Sequence, residues 1–241
     1  MVKGLEEIKK FILDILFPIE CVGCGKGGKY ICEKCSTFLG EASLICPVCQ
    51  KPSFSGQRHN HCPSRYHLDG LVGVWEYEGM VRKLLHEIKY GKVRNAISEL
   101  VELSFKAIIK DEARFASFFS FLFSEKPIIT FVPMHDEKEW RRGFNQSKLI
   151  AEEISKITNL EVVPLLEKIK RTESQAKLDK VERVKNVEGV FGIKKDQNKI
   201  PEKLVLIDDI WTTGATMKEC CKVLKKVGVK KVWGFTLART V

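Results

Sequence analysis

From residue 204 to residue 217 the chain reads Leu-Val-Leu-Ile-Asp-Asp-Ile-Trp-Thr-Thr-Gly-Ala-Thr-Met, and no other stretch narrows the fold as much. Four consecutive aliphatic residues, Leu204 to Ile207, form the unbroken apolar run of a strand buried on both faces, which points to a parallel sheet covered by helices. The run stops at two adjacent carboxylates, Asp208 and Asp209. A small, hydroxyl-rich turn follows (Thr212, Thr213, Gly214, Ala215, Thr216) and leads into a helix over residues 217–226, with Met217, Cys221 and Leu224 on one face. Strand, turn and helix start converge free backbone N–H groups and the positive end of a helix dipole on one point, so the turn suits a phosphate. It is not a Walker A loop, because no lysine sits in it. The alternative, an ordinary polar turn, leaves the acid pair unexplained where open α/β sheets hold their ligands, at a strand's carboxyl end.

This acid pair and turn resemble the phosphoribosyl-pyrophosphate (PRPP) motif of type I phosphoribosyltransferases. The resemblance implies that Asp208 and Asp209 bind the ribose 2′ and 3′ hydroxyls and that Thr212, Thr213, Gly214, Ala215 and Thr216 hold the 5′-phosphate, with Mg²⁺ accompanying PRPP.

Seven of the nine cysteines lie between Cys21 and Cys62. Cys21-x2-Cys24 and Cys32-x2-Cys35 are two knuckles, each aiming two thiolates at one point, and together they complete a structural zinc site. Cys46-x2-Cys49 is a third knuckle. His59-x2-Cys62 would complete a second zinc site, with His61 as a competing ligand and a cross-braced pairing of the knuckles also open. Metal rather than disulfides fits a reducing compartment.

With 241 residues the chain is long enough for one mid-sized domain and a small module. No apolar run is long enough to span a bilayer and no signal-peptide pattern opens the chain, so a cytoplasmic protein without a membrane span is expected. The net charge of +10 sits in two segments: residues 168–199, with ten Lys/Arg against five Asp/Glu, and residues 218–231, with six against one. Seven thiolates and two zinc ions would bring the charge to +7. A polyanion or nucleic acid is one reading of this excess and a solvated, lysine-rich surface the other.

Residues 1–17 read as a short amphipathic helix closed by Pro18. Composition turns from turn-rich to periodic near residues 66–71, so residues 1–66 form a helix plus cysteine-rich module and residues 67–241 an α/β domain. In the latter, residues 72–77 alternate like a strand, 81–90 and 96–109 are helical, and 128–132 and 230–237 are strands. His86 and Lys89 read as a surface helix face, with a ligand-facing position as the alternative. Residues 140–147 read as a loop in which Arg141 and Arg142 suit a diphosphate, since guanidinium forks pair with phosphate oxygens; a surface cluster with Glu137 and Glu139 is the alternative. Residues 162–163 suggest a short strand, the basic stretch after residue 168 either a lid or a mobile surface loop, and Cys220 and Cys221 small packing residues.

The ordered set of Leu-Phe-Pro before Cys21, the Cys-x2-Cys knuckles, Val-Pro-Met-His at 132–135, Arg-Gly-Phe-Asn-Gln at 142–146, Arg-Thr-x-Ser-Gln at 171–175, Arg183 with Asn186, and Asp-Asp-x2-Thr-Thr-Gly-Ala-Thr at 208–216 resembles the ComF family. The resemblance covers nearly the whole chain. His59-x2-Cys62 stands where the family usually has a fourth Cys-x2-Cys. The resemblance implies a zinc module followed by a type I phosphoribosyltransferase fold, PRPP binding with Arg171 and Arg183 in the lid, and a role in natural transformation, handling single-stranded DNA with a helicase-type partner. It does not imply an acceptor, or that transfer takes place.

Overall fold

The computed structural model describes residues 18–90, 93–170, 180–195 and 200–240. A short helix α1 (Glu33–Ser36) and a 3-10 turn (Phe54–Gly56) belong to the cysteine-rich module. Then come β1 (Gly70–Glu76), α2 (Gly79–Lys89), α3 (Ala96–Lys110), α4 (Glu112–Phe123), β2 (Ile128–Phe131), α5 (Asp136–Arg142), α6 (Gln146–Thr158), β3 (Leu166–Lys168), α7 (Lys180–Val187), β4 (Phe191–Ile193), β5 (Lys203–Trp211), α8 (Ala215–Lys226) and β6 (Lys231–Arg239). The expected helix over residues 1–17 lies outside the described residues.

Four strands form a parallel sheet in the order β1-β6-β5-β2, and β3 pairs with β4 antiparallel. The unbroken run in β5 now has its reason. Val205 and Ile207 enter one core with α2, α3, α4 and α6, while Leu204 and Leu206 enter the other with α8 and the β3–β4 pair. Both faces are dry, so no position of the run tolerates a polar residue. The same holds for β1, where Leu71 enters one core and Val72 and Val74 the other, so it does not alternate in exposure as its sequence suggested.

Strand β5 does not stop before the acid pair. It continues to Trp211 because β6 supplies partners along its whole length, Asp208 opposite Thr236 and Ile210 opposite Ala238. The helix α4, rich in phenylalanine, buries Phe115, Phe118 and Phe121 in the core under the sheet. One further expectation changes: residues 140–142, read as the start of a loop, close helix α5 instead. That helix ends at Gly143, which adopts a left-handed φ of 81° and donates its N–H to the Glu139 carbonyl.

The cysteine-rich module covers the outer edge of β1. Ala42 donates its N–H to the Val74 carbonyl, Glu76 to Gly40, and Arg58 to Asp69, while Gln57 bridges Gly70. Glu99 on α3 accepts from the Tyr30 and Ile31 amides at 3.0 and 2.7 Å. Cys21, Tyr30, Ile31, Cys35 and Leu44 share one core with Val72 and Val74, so the expected division between residues 66 and 67 is crossed by common packing. On the far edge, residues 161–163 pair with Ile129 of β2. No helix among the described residues is long and apolar enough to cross a membrane.

Candidate functional site

The carboxyl ends of β1, β5 and β2 open into a cavity of about 400 Å³, within the range that small-molecule sites occupy. Its floor is the acid pair. Asp208 Oδ1 accepts from Ser147 Oγ at 2.9 Å and from the Asp209 N–H at 2.9 Å, while Asp209 Oδ1 accepts from the Ile210 N–H at 2.8 Å. Ser147 is held because Asn145 caps α6 by accepting the Ser147 N–H at 3.0 Å and donates to the Val132 carbonyl at 3.1 Å. Burial, and then the neighbouring Asp209 charge, push the Asp208 carboxyl well above the ordinary carboxylate range. Burial raises Asp209 too, opposed by the charges of Lys89 and Arg142.

Thr212, Thr213, Gly214, Ala215 and Thr216 all line one wall. Gly214 caps α8 with φ 72°, and a Cβ there would stand 2.2 Å from the Trp211 ring, so both conformation and space require glycine. The opposite walls are cationic. Arg142 donates to Gln146 Oε1 at 2.6 Å and faces the cavity, as do Lys138 of α5, Lys89 and Arg82 of α2, and Lys168 of β3; Tyr77 joins them after β1. Burial, followed by the Arg142 and Lys89 charges, lowers the Lys138 ammonium, and burial followed by Lys138 lowers Lys168. Cations crowded together in this way favour an anion between them.

Of the sequence candidates, Asp208, Asp209, the five turn residues and Arg142 come together. Arg141 is exposed and does not line the cavity, being one helical step from Arg142. Arg171 lies outside the described residues, as does the lid motif at 171–175; the backbone of Arg183 belongs to α7, but its side chain is not described. Lys89 lines the cavity instead of a surface face, whereas His86 stays outside against Tyr90, ring centroids 4.6 Å apart. Sequence reasoning missed Tyr77, Arg82, Lys138, Ser147 and Lys168 as cavity residues. Only Lys138 carried a local signal, falling four residues before Arg142 on one helix face.

The second expected basic face is largely occupied. In residues 218–231, Lys222 pairs with Glu219, Lys225 with Asp69, Lys230 with Glu202 and Lys231 with Glu125, while Lys218 donates to the Thr213 carbonyl at 3.4 Å.

The cysteine ligands fall into two groups, Cys21, Cys24, Cys32 and Cys35, and Cys46, Cys49, His59 and Cys62, each with its donor atoms within 4.8 Å of one another. Sulfurs on a tetrahedral zinc stand about 3.8 Å apart, given Zn–S bonds of about 2.3 Å. Cys24 and Cys32 are 3.7 Å apart and Cys46 and Cys62 3.8 Å, so the donor sets fit structural zinc. His59 presents Nδ1 to Cys49 Sγ at 3.3 Å, while Nε2 lies 3.0 Å from the Pro52 carbonyl, the outer partner that a metal-bound imidazole commonly has. His61 stacks on His59 at 5.2 Å and is not in the group. The knuckles are therefore not cross-braced.

Fold and site define a class of protein in which a thiolate-rich module is clamped to the edge of a parallel α/β domain whose strand ends carry an acid pair and a helix-capped turn. No family model matches the chain. Competence protein F of Haemophilus influenzae is 34% identical over 112 residues, 45% of this chain and 48% of its own length, so the match spans about half of that relative. DNA utilization protein YhgH of Escherichia coli is 27% identical over 224 residues, covering 88% of this chain and 91% of the relative. Competence protein ComFC of Bacillus subtilis is 28% identical over 226 residues, with 89% and 86% covered. Relatives so named, two of them matched over most of its length, support this chain as a member of the ComF family.

Proposed function

We propose that the cavity binds PRPP or another 5′-phosphoribosyl compound and that the domain is of type I phosphoribosyltransferase kind. The observation that carries this is the convergence, around one cavity, of Asp208 and Asp209, the turn from Thr212 to Thr216, and the cations Lys89, Lys138 and Arg142. The turn takes the 5′-phosphate through backbone N–H groups and threonine hydroxyls. The acid pair accepts from the ribose 2′ and 3′ hydroxyls. The cations face the diphosphate on C1, and as the C1–O bond breaks they hold the negative charge that gathers on the departing diphosphate. Mg²⁺, when bound, supplies further neutralisation of that diphosphate, and hard carboxylate oxygens at Asp208 and Asp209 suit it. An acceptor attacks the opposite face of C1, and its identity is not read from the described residues.

Titration calorimetry with PRPP and MgCl₂ tests the donor half, with the Asp208→Asn, Asp209→Asn double variant as the comparison. Saturable binding lost in the variant supports the reading; equal binding by both proteins, or by neither, overturns it. Diphosphate release with nucleobases, amines and ammonia then tests transfer.

A second reading is favoured by the names of the relatives and the net charge of +10: a role in natural transformation, with single-stranded DNA bound and a helicase-type partner. Backbone binding of this kind weakens steeply with salt through counterion release. Fluorescence anisotropy of a labelled oligonucleotide at low and moderate salt checks it, and no binding at low salt removes it.

A further inference from the structure

The two metal groups differ at one matching position. In the first, the residue after the second knuckle cysteine is Gly25, with φ 74°, whose N–H donates to the Cys21 carbonyl at 2.8 Å. In the second it is Gln50, with φ 62°, whose N–H donates to the Cys46 carbonyl at 2.9 Å. The backbone geometry is the same, and glycine adopts it freely whereas glutamine is strained there. A strained residue in the place of an available glycine points to work done by its side chain. That side chain leaves the knuckle: Gln50 Nε2 donates to the Thr213 carbonyl of the phosphate turn at 3.2 Å.

A trans peptide is planar, so its C=O and N–H point in opposite directions. Thr213 C=O and Gly214 N–H belong to one such plane. Gln50 grips the carbonyl from outside the cavity, and Lys218 reaches the same oxygen at 3.4 Å while lying over the Trp211 ring. Holding the oxygen outward aims the Gly214 N–H inward, and a donor on the carbonyl polarises that N–H further.

We propose that Gln50 is a positioning residue for the phosphate turn and that, through it, the second metal knuckle sets the affinity of the cavity for a 5′-phosphate. The proposal rests on the phosphoribosyl reading of the cavity. It gives the second metal group a task besides holding its own loop together: it fixes the Cys46–Gln50 turn at the distance from which the glutamine amide reaches Thr213.

The test is titration of ribose 5-phosphate, and separately of inorganic diphosphate, into the zinc-loaded 241-residue chain and three variants, with zinc per chain measured on the same samples. Gln50→Met keeps the length and the strain but removes the donor. Gln50→Asn tolerates a left-handed φ better but is too short to reach. Gln50→Gly relaxes the backbone and removes the side chain. All three should weaken ribose 5-phosphate by about three- to tenfold, the size of one neutral hydrogen bond. Diphosphate affinity and zinc content should stay at wild-type values. A purely structural role predicts instead that Asn and Gly bind ribose 5-phosphate as wild type does, and that outcome overturns the proposal, as does an affinity loss that follows zinc loss. If the wild-type protein itself fails to bind ribose 5-phosphate and PRPP, the phosphoribosyl reading falls and takes this inference with it.

Discussion

Replacing Asp208 with asparagine should stabilise the protein while impairing its ligand site, and the gain should grow with pH. The variant keeps the local bonds, since an asparagine Oδ1 can accept from both Ser147 Oγ and the Asp209 N–H as Asp208 Oδ1 does. What it removes is a charge that burial and Asp209 disfavour. A carboxyl raised in the folded state keeps its proton to higher pH there than in the unfolded chain. Its contribution is therefore most favourable below the unfolded-state value and falls as pH rises from that value to the folded-state one. For one fully titrating group the fall is about 1.4 kcal/mol per pH unit. At roughly 2–4 °C per kcal/mol for a chain of this size, that corresponds to about 3–6 °C in Tm per unit. Differential scanning fluorimetry of wild type and Asp208→Asn, from the ordinary carboxylate range of about pH 4 up to about pH 9, reads it, and the metal knuckles, common to both proteins, cancel in the difference. The gap should open toward higher pH and level off once the wild-type carboxyl is ionised. PRPP affinity should drop at every pH. Parallel melting curves across the range would refute the claim that Asp208 is a strained carboxyl kept for binding.

Lys89→Met should weaken PRPP by about tenfold, the scale of one charge-assisted bond, and leave ribose 5-phosphate nearly unchanged, because Lys89 is assigned to the diphosphate; calorimetry with both ligands checks this. Gly214→Ala should destabilise the fold by about 1–3 kcal/mol, from a strained φ and a clash with Trp211, and abolish ribose 5-phosphate binding, as read by melting and titration. Zinc measurement on the purified protein should give two ions per chain, falling to one in either Cys21→Ala or Cys46→Ala. Glu99→Gln should lower Tm by several degrees at unchanged zinc content, since the carboxylate accepting from two amides 68 and 69 residues away loses half of its acceptors.

What the sequence made readable were features carried by local spacing. The Leu204–Ile207 run, the helical faces of α2 and α3, and the Cys-x2-Cys pairs each depend on residues a few positions apart. His59 rather than His61 stands with Cys46, Cys49 and Cys62, in line with the two-residue spacing of a knuckle. What was missed depends on long-range neighbours. Asp208 and Asp209 look like a strand's end until Thr236 to Arg239 supply a partner that carries β5 to Trp211. The apolar face of α2 says which side is buried, but not that Lys89 at its last position overlooks the end of a distant strand. Arg141 and Arg142 are equal in sequence; only the helical form of α5, closed by Gly143, turns one to the cavity and the other to solvent. The lysines of residues 218–231 look like a polyanion face because their partners Asp69, Glu125 and Glu202 lie far away in the chain.

The hydrogen bonds from the cysteine-rich module to β1 have a bearing on how the protein fails. An uncovered strand edge is a template on which a second chain can pair, and β1 is long, apolar and without a proline or charge before Glu76. Residues 40–42 and 57–58 hold that edge only while the loops around them keep their shape, and His59 and Cys62 of the second metal group follow closely after residue 58. Zinc starvation would therefore turn the folded protein into a seed for clumping before it unfolds the sheet. Light scattering that rises on chelation, ahead of any loss of α/β circular dichroism, is the signature to look for; scattering that only follows that loss would place the edge's protection elsewhere.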